Sequence, residues 1–428
     1  LSILQTIYIP NNPPINLNRI HNYPWIEGVL KMGILMVYVC LFYCVQALLQ
    51  TKEEVKKWLT RYMWIGLCIS IYGLLGFFVF VLSGYYISID GYSAVVDMDN
   101  DLPRIKATEQ EPSFFGFYLM TIVPVFLAVA IRQIRQNIVF YEKKTLIWFL
   151  GITLVALFLS GSRSAILALF FSVATLFFLH KEKRTISEYK RVIFDYCRPY
   201  YVQYTKVIFS LIKSIIKKVR SSRILLAIFI VCLLLIGFSV TKNFGLIKEK
   251  TVKGIEEGIL GPTIGTFNSA YGKFWSTKTR LIMAGYAVDA FREHPWFGAG
   301  YENYGFYTGN KRYLGLLDFN ITWPEVNNYP LRVLAEQGIV GFIAFLFFII
   351  VFFYSLFSAR KKATDPFLKA LVEGYIATFV GIAVMLLFTS NIMKPYIWVT
   401  LAFAVATIKA VNSSAPNVIL DKQENESF

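Results

Sequence analysis

The chain has 428 residues, of which 56% are apolar, 17% aromatic and only 16% charged. Soluble domains carry about 25% charged residues, so this chain lacks the charge for an ordinary water-facing surface. With 15 Pro and 27 Gly, collagen-like, linker-like and disordered chains are excluded as well, and a multi-pass membrane protein remains.

The formal charge of +16 would point to nucleic acid in a soluble chain. Here it reads as basic cytoplasmic loops meeting anionic headgroups, and no nucleic-acid partner is expected. Of the five cysteines, Cys40, Cys44, Cys68 and Cys232 lie in apolar stretches and Cys197 in a basic loop. They have neither metal-ligand spacing nor a disulfide framework.

A membrane span needs roughly 17–25 apolar residues. In chain order the sequence predicts spans at 28–49, 62–82, 114–131, 145–160, 164–179, 224–240, 338–358, 369–389 and 395–411. The expected fold is all-α, a polytopic transmembrane helix bundle with one large helical outer loop. Lys52, Lys56, Lys57 and Arg61 follow the first span, Arg132, Arg135, Lys143 and Lys144 the third, and Arg360 to Lys362 the seventh. Segment 181–223 holds twelve Lys and Arg against Glu182, Glu188 and Asp195. Every second loop is therefore basic and is expected inside.

The resulting organisation is membrane helices over 1–240 with the cytoplasmic loop 181–223, and a large periplasmic or extracellular loop over 241–337. Carboxy-terminal membrane helices follow over 338–411, with a cytoplasmic tail at 412–428. Residue 1 is Leu rather than Met, so preceding spans are expected, an odd number of them restoring a cytoplasmic start. The outer loops 83–113 and 241–337 are too long to be mere turns and are where chemistry is expected.

Five stretches carry candidate chemistry. Ser160-Gly161-Ser162-Arg163-Ser164-Ala165 can break a helix and present backbone to a ligand. Arg163 offers a permanently charged five-donor fork for phosphate oxygens, with Ser162 and Ser164 beside it; the plainer alternative is an arginine snorkelling to the interface. From Thr279 to Phe291, residues Leu281, Ala284, Val288 and Phe291 share one helical face, with Thr279 as cap and Arg280 in the first turn. An arginine there is unfavourable unless an anion is near.

His294-Pro295-Trp296-Phe297-Gly298-Ala299-Gly300-Tyr301-Glu302-Asn303-Tyr304 forms a tight turn. Tyr301 and Tyr304 can stack on sugar rings or belong to an interfacial aromatic belt, and His294 can anchor the turn or move a proton. From Glu325 to Gly341, Asn327 and Asn328 can cap a short helix begun by Pro330 and ended by Gly338, or they can bind substrate with Arg332. Arg104 and Glu111, before Pro112-Ser113-Phe114-Phe115, can line the same outer cavity or cap a re-entrant segment. Phosphate loops, dinucleotide fingerprints, paired-histidine motifs and nucleophile elbows do not occur in the sequence.

Taken in order, these stretches resemble the O-antigen polymerase and ligase family of bacterial membrane glycosyltransferases. The Ser-Gly-Ser-Arg-Ser-Ala turn resembles the family's hallmark before a span. Arg280 and the His-Pro-x-x-Gly-x-Gly turn at 294–300 resemble its outer loop. Asn328, nine residues, Gly338 and Gly341 resemble its His-Asn, nine residues, Gly-x-x-Gly motif, and Glu111 to Phe115 resembles an element of the polymerases. One position departs: the histidine of that motif, notable in ligases, is Asn327 here. An amide can orient a hydroxyl but cannot take its proton. Base candidates are therefore Glu325, Glu302 and His294, with Glu325 first by proximity.

The resemblance implies a GT-C-like enzyme, with no cofactor or metal, that inverts the anomeric centre. It implies transfer of glycan from a polyprenyl-diphosphate-linked oligosaccharide to a sugar hydroxyl on the outer side of the cytoplasmic membrane. It also implies membrane lipid contacts and a chain-length regulator as a partner. Arg163 and Arg280 would stabilise the diphosphate leaving group. Asn327 favours a polymerase over a ligase that caps lipid A-core. A flippase would show related halves and mid-span ionisable groups, and the sequence shows neither.

Overall fold

A computed structural model of the chain describes residues 24–85, 87, 95–99, 102–179, 275–305, 307, 325–390 and 392–414. By its contacts the chain forms two units, Leu1–Arg184 with Ser276–Phe428, and Thr185–Trp275. Apart from Trp275, every described residue belongs to the first. The expected span at 224–240 and the basic segment 181–223 lie outside the described residues.

Nine helices are described: α1 (Pro24–Leu48), α2 (Lys52–Ser83), α3 (Pro112–Gln136), α4 (Lys143–Leu159), α5 (Arg163–Leu179), α6 (Trp275–Glu293), α7 (Tyr329–Lys362), α8 (Pro366–Leu386) and α9 (Pro395–Ser414). Six of them, α1, α2, α3, α7, α8 and α9, are long and apolar enough to cross a membrane. The chain is a multi-pass helical membrane bundle. Helices α4 and α5 have 17 residues each. That gives about 25 Å of rise against about 30 Å of hydrocarbon.

The all-helical expectation needs one amendment. Loop 83–113 contains an antiparallel hairpin of β1 (Val96–Asp99) and β2 (Leu102–Ile105), pairing Val96 with Ile105 and Asp99 with Leu102. Val95 and Ile105 are fully buried against α2, where Gly76 and Gly73 leave them room. The acidic residues of this loop mask so short an apolar alternation in the sequence.

Helices α3 and α8 form the centre, buried along most of their length, with α5 packed on both. Helices α1 and α7 instead expose Val37, Phe347 and Tyr354, as lipid-facing helices do. Hydrocarbon supplies no hydrophobic drive between helices, so close packing and interhelical hydrogen bonds must hold them. Gly374 of α8 sits against the backbone of Val125, and Ser172 Oγ donates to the Ala377 carbonyl at 2.8 Å.

The described basic loops gather at one end. Lys52 pairs with Asp365, and buried Glu373 accepts from Arg132 Nη2 at 2.7 Å and Arg360 Nε at 3.1 Å. Arg360 also donates to the carbonyl of Leu179, tying the ends of α5 and α7 together. The opposite end collects the hairpin, the α4–α5 turn, the starts of α3 and α7, and segment 387–394.

Candidate active site

At the hairpin end, α4 and α5 join through Ser160-Gly161-Ser162. Both serines are buried, and their hydroxyls are used locally. Ser160 Oγ donates to the Leu157 carbonyl at 2.6 Å, while Ser162 Oγ accepts from the Ala165 amide and meets Ser164 Oγ, each at 3.3 Å. Ser162 thus caps α5 and leaves Arg163 as its first residue, exposed, beside the amides that such a terminus leaves for an anion. Gly161 has φ 59°, a left-handed turn residue. Behind it, Arg104 Nε donates to the Ser160 carbonyl at 3.0 Å and Nη2 to the Gly161 carbonyl at 3.3 Å.

Arg280 belongs to the same neighbourhood. Its guanidinium is exposed by area, yet enough protein surrounds it that loss of water lowers its pKa. Glu111 opposes that shift and the positive charge of Arg163 adds to it. Glu111 precedes α3 and accepts from Ser113 Oγ at 3.0 Å. The charges of Glu111 and Arg163 thus act on Arg280, while Arg104 is held at the turn just before Arg163. Helix α6 begins at Trp275 rather than at Thr279, so Arg280 lies in its second turn.

The face of α6 that packs is also offset from the expected one. Met283, Tyr286, Ala287 and Ala290 are buried, together with Ala299, Tyr304, Tyr307, Val326 and Ala335, whereas Ala284, Val288 and Phe291 are only half-buried. Two apolar stripes run along this helix. The one carrying the small Ala287 and Ala290 lets the following loop approach closely.

The two glycine motifs prove to be halves of one backbone interlock. Helix α7 breaks at Gly338, with φ 65° and ψ −165°, which releases main-chain groups from the helical ladder. Turn 295–300 takes them up. Ala299 N donates to the Ala335 carbonyl at 2.8 Å and Gly300 N to that of Glu336 at 2.9 Å. In return Ile339 N donates to the Pro295 carbonyl at 2.8 Å and Val340 N to that of Trp296 at 3.2 Å. A Cβ on Gly298 would fall on Glu336 and Gln337 backbone, and one on Gly338 on Trp296 backbone. These glycines serve close approach of two chain segments.

A buried charge cluster reinforces the interlock. Arg332 Nη2 donates to Glu302 Oε2 and Nε to Glu336 Oε1 at 3.1 Å, while the Glu302 amide donates to Glu336 Oε2 at 3.1 Å. Glu302 holds φ 61°, uncommon for a residue with a side chain. These residues line a small, partly open cleft with Lys31, Tyr301, Glu325, Tyr329 and Ser390. Glu325 is exposed, and its Oε2 accepts from Ser390 Oγ at 2.6 Å. Residues on either side of position 391 reach both the cleft and the start of α3. Beyond Ser390, Lys394 pairs with Glu109 at 3.1 Å and lies 4.1 Å over the Phe114 ring.

The other sequence candidates fall on supports. Tyr304 is buried with its hydroxyl donating to the Met283 carbonyl, a core position rather than a sugar platform. Asn328 Oδ1 caps α7 by accepting from Leu331 N at 3.0 Å, and Nδ2 donates to the Leu387 carbonyl at 3.2 Å. His294 closes the end of α6 and sets its ring edge-on to Tyr307. Asn327 is half-buried beside the cleft residue Glu325. Lys31 and Ser390 went unforeseen, since nothing in their local sequence marks them. Among the described residues no His, Cys, Asp and Glu group has the size of a metal site.

Residues 148–346 match the family model described as O-antigen ligase. The matched stretch begins in α4 and ends in α7, and it takes in Arg163, Arg280, the 294–300 turn and Asn327 to Gly341. It is therefore an O-antigen ligase and polymerase family domain within a multi-pass membrane protein. No curated protein matches the chain.

Proposed function

We propose that this family domain makes the chain a polysaccharide polymerase. It transfers glycan from a polyprenyl-diphosphate carrier to a sugar hydroxyl of another lipid-linked repeat unit, at the outer face of the cytoplasmic membrane. The observation that supports this reading is the electrostatic coupling of Arg280 to Arg163 and Glu111, beside the Ser160–Gly161 turn that Arg104 holds. Loops rich in Lys and Arg favour the cytoplasmic side, which supports an outer location for the arginines.

In the reaction the acceptor oxygen forms a bond to the anomeric carbon of the donor. The bond from that carbon to the diphosphate oxygen breaks, and its electron pair leaves on the diphosphate. Negative charge grows where Arg163 and Arg280 stand. Charge-assisted hydrogen bonds contribute about 1.5–3 kcal/mol each, and fixed cations need little reorganisation as the reaction proceeds. The acceptor proton passes to Glu325, which Ser390 holds at the cleft. Asn327 orients the hydroxyl, Tyr301 packs on a sugar ring, and α3, α4 and α5 hold the lipid.

A ligase reading draws on the printed description of the family. Reconstitution of the chain in vesicles with a polyprenyl-diphosphate-linked repeat unit separates the two. A ladder of lengths from the repeat alone is the expected result. Product only when lipid A-core is added would make the chain a ligase, and translocation without new glycosidic bonds would remove it from the transferases.

A further inference from the structure

Arg104 stands with the cationic groups of the site, but two of its donors are already committed. They close on the carbonyls of Ser160 and Gly161 at 3.0 and 3.3 Å, the C-cap of α4 and the turn residue after it. They adjoin the negative end of that helix, where a cation is favourable. The arginine stem also fills the space beside Gly161. A Cβ there would lie 3.0 Å from Arg104 Nε and 3.3 Å from its Cγ.

The anchor behind Arg104 is firm. Its neighbour Ile105 is fully buried and sits over Gly73 of α2, and Arg104 itself is paired through the hairpin with Asp97. On the far side of the turn, Ser162 caps α5 and Arg163 follows directly. The start of α5, which carries Arg163, thus follows a left-handed turn held from α2 through the hairpin.

We infer that Arg104 is a positioning residue. Its guanidinium tethers the Ser160–Gly161 turn and so aims Arg163 at the anion, without itself meeting the donor. The inference rests on the proposed role of Arg163. A lysine at 104 keeps the charge and loses the two-pronged grip on the carbonyls, so Arg104→Lys separates position from charge.

The test uses the full chain in vesicles, with two readouts. Hydrogen exchange across 158–166 should speed up in Arg104→Lys while the other helices keep their protection. With the lipid-diphosphate donor, kcat should fall about 10- to 100-fold, the scale of a misplaced catalytic group, with donor KM unchanged. Added to Arg163→Ala, the same substitution should cost nothing further, since both act through one group. A raised KM with unchanged kcat would make Arg104 a direct donor contact and overturn the inference. Unchanged exchange would overturn it regardless of kinetics. Full activity of Arg163→Ala would instead sink the reading of the site, and the exchange result would still decide whether the tether exists.

Discussion

Gly338→Ala should be among the most damaging single-methyl additions in this protein. The residue has φ 65° and ψ −165°, a region that glycine alone enters readily. Forcing another residue there costs about 1–3 kcal/mol in strain. The added carbon must also displace the Trp296 carbonyl, which accepts from Val340 in the same interlock. Two hydrogen-bonded segments would have to part. The midpoint of thermal unfolding in detergent should drop steeply, and protease should cut within 294–305, which the wild type protects. Gly285→Ala is the control. Its Cβ meets nothing within 4 Å on α6, and Ala in place of an interior helical Gly stabilises by about 1 kcal/mol. A Gly338→Ala protein that melts and resists protease like the wild type would refute the interlock.

Arg332→Ala should be comparably severe for a different reason. Arg332 bridges Glu302 and Glu336, and both carboxylates are buried. Removing one partner of a buried ion pair costs about 3–5 kcal/mol, because the remaining charge keeps its desolvation penalty. Here two neighbouring buried carboxyl groups lose the cation they share. Replacing the whole cluster by neutral groups of similar size removes that penalty. Arg332→Met combined with Glu302→Gln and Glu336→Gln should therefore recover most of the melting point lost by Arg332→Ala. If the single substitution leaves the melting point unchanged, or the triple variant is worse than the single, the cluster does not act as a lock.

The sequence made parts of this arrangement legible for definite reasons. Apolar runs long enough to span a bilayer are a strong signal, and eight of the nine expected spans fall on described helices. The helix break at Ser160-Gly161-Ser162 was readable because small residues and a glycine permit so sharp a turn, whereas the Ser162 cap emerged only from the structure. The glycines at 298 and 338 were visible as glycines. Their partners were not, because each meets backbone about forty positions away in the chain and no side chain records it.

Arg332 looked like a substrate ligand because a sequence shows charge without burial. Its two acids, one four residues on and one thirty residues back, become its partners only through the interlock. Tyr304 misled in the same manner, as an aromatic of the outer loop that faces a small core. Lys31 and Ser390 reach the cleft from α1 and from the α8–α9 connection, a convergence that depends on tertiary packing alone.

These supports share a purpose in the proposed mechanism. The hairpin fixes the α4–α5 turn, and the interlock and buried cluster fix the start of α7. Segment 387–394 joins the two sides through Ser390 with Glu325 and Lys394 with Glu109. Diphosphate departure and acceptor activation thus fall on separate walls held by one framework.

The measurement that bears most directly on the arginine pair compares wild type, Arg163→Ala, Arg280→Ala and Arg163→Lys in vesicles carrying the lipid-diphosphate repeat unit, at equal protein level and with matched melting points. Both alanine variants should lose polymer formation by about 100-fold or more, as expected for removal of a preorganised charge-stabilising group. Arg163→Lys should retain part of the rate, since the charge survives without the fork. A ladder of wild-type length and rate from either alanine variant would contradict the account.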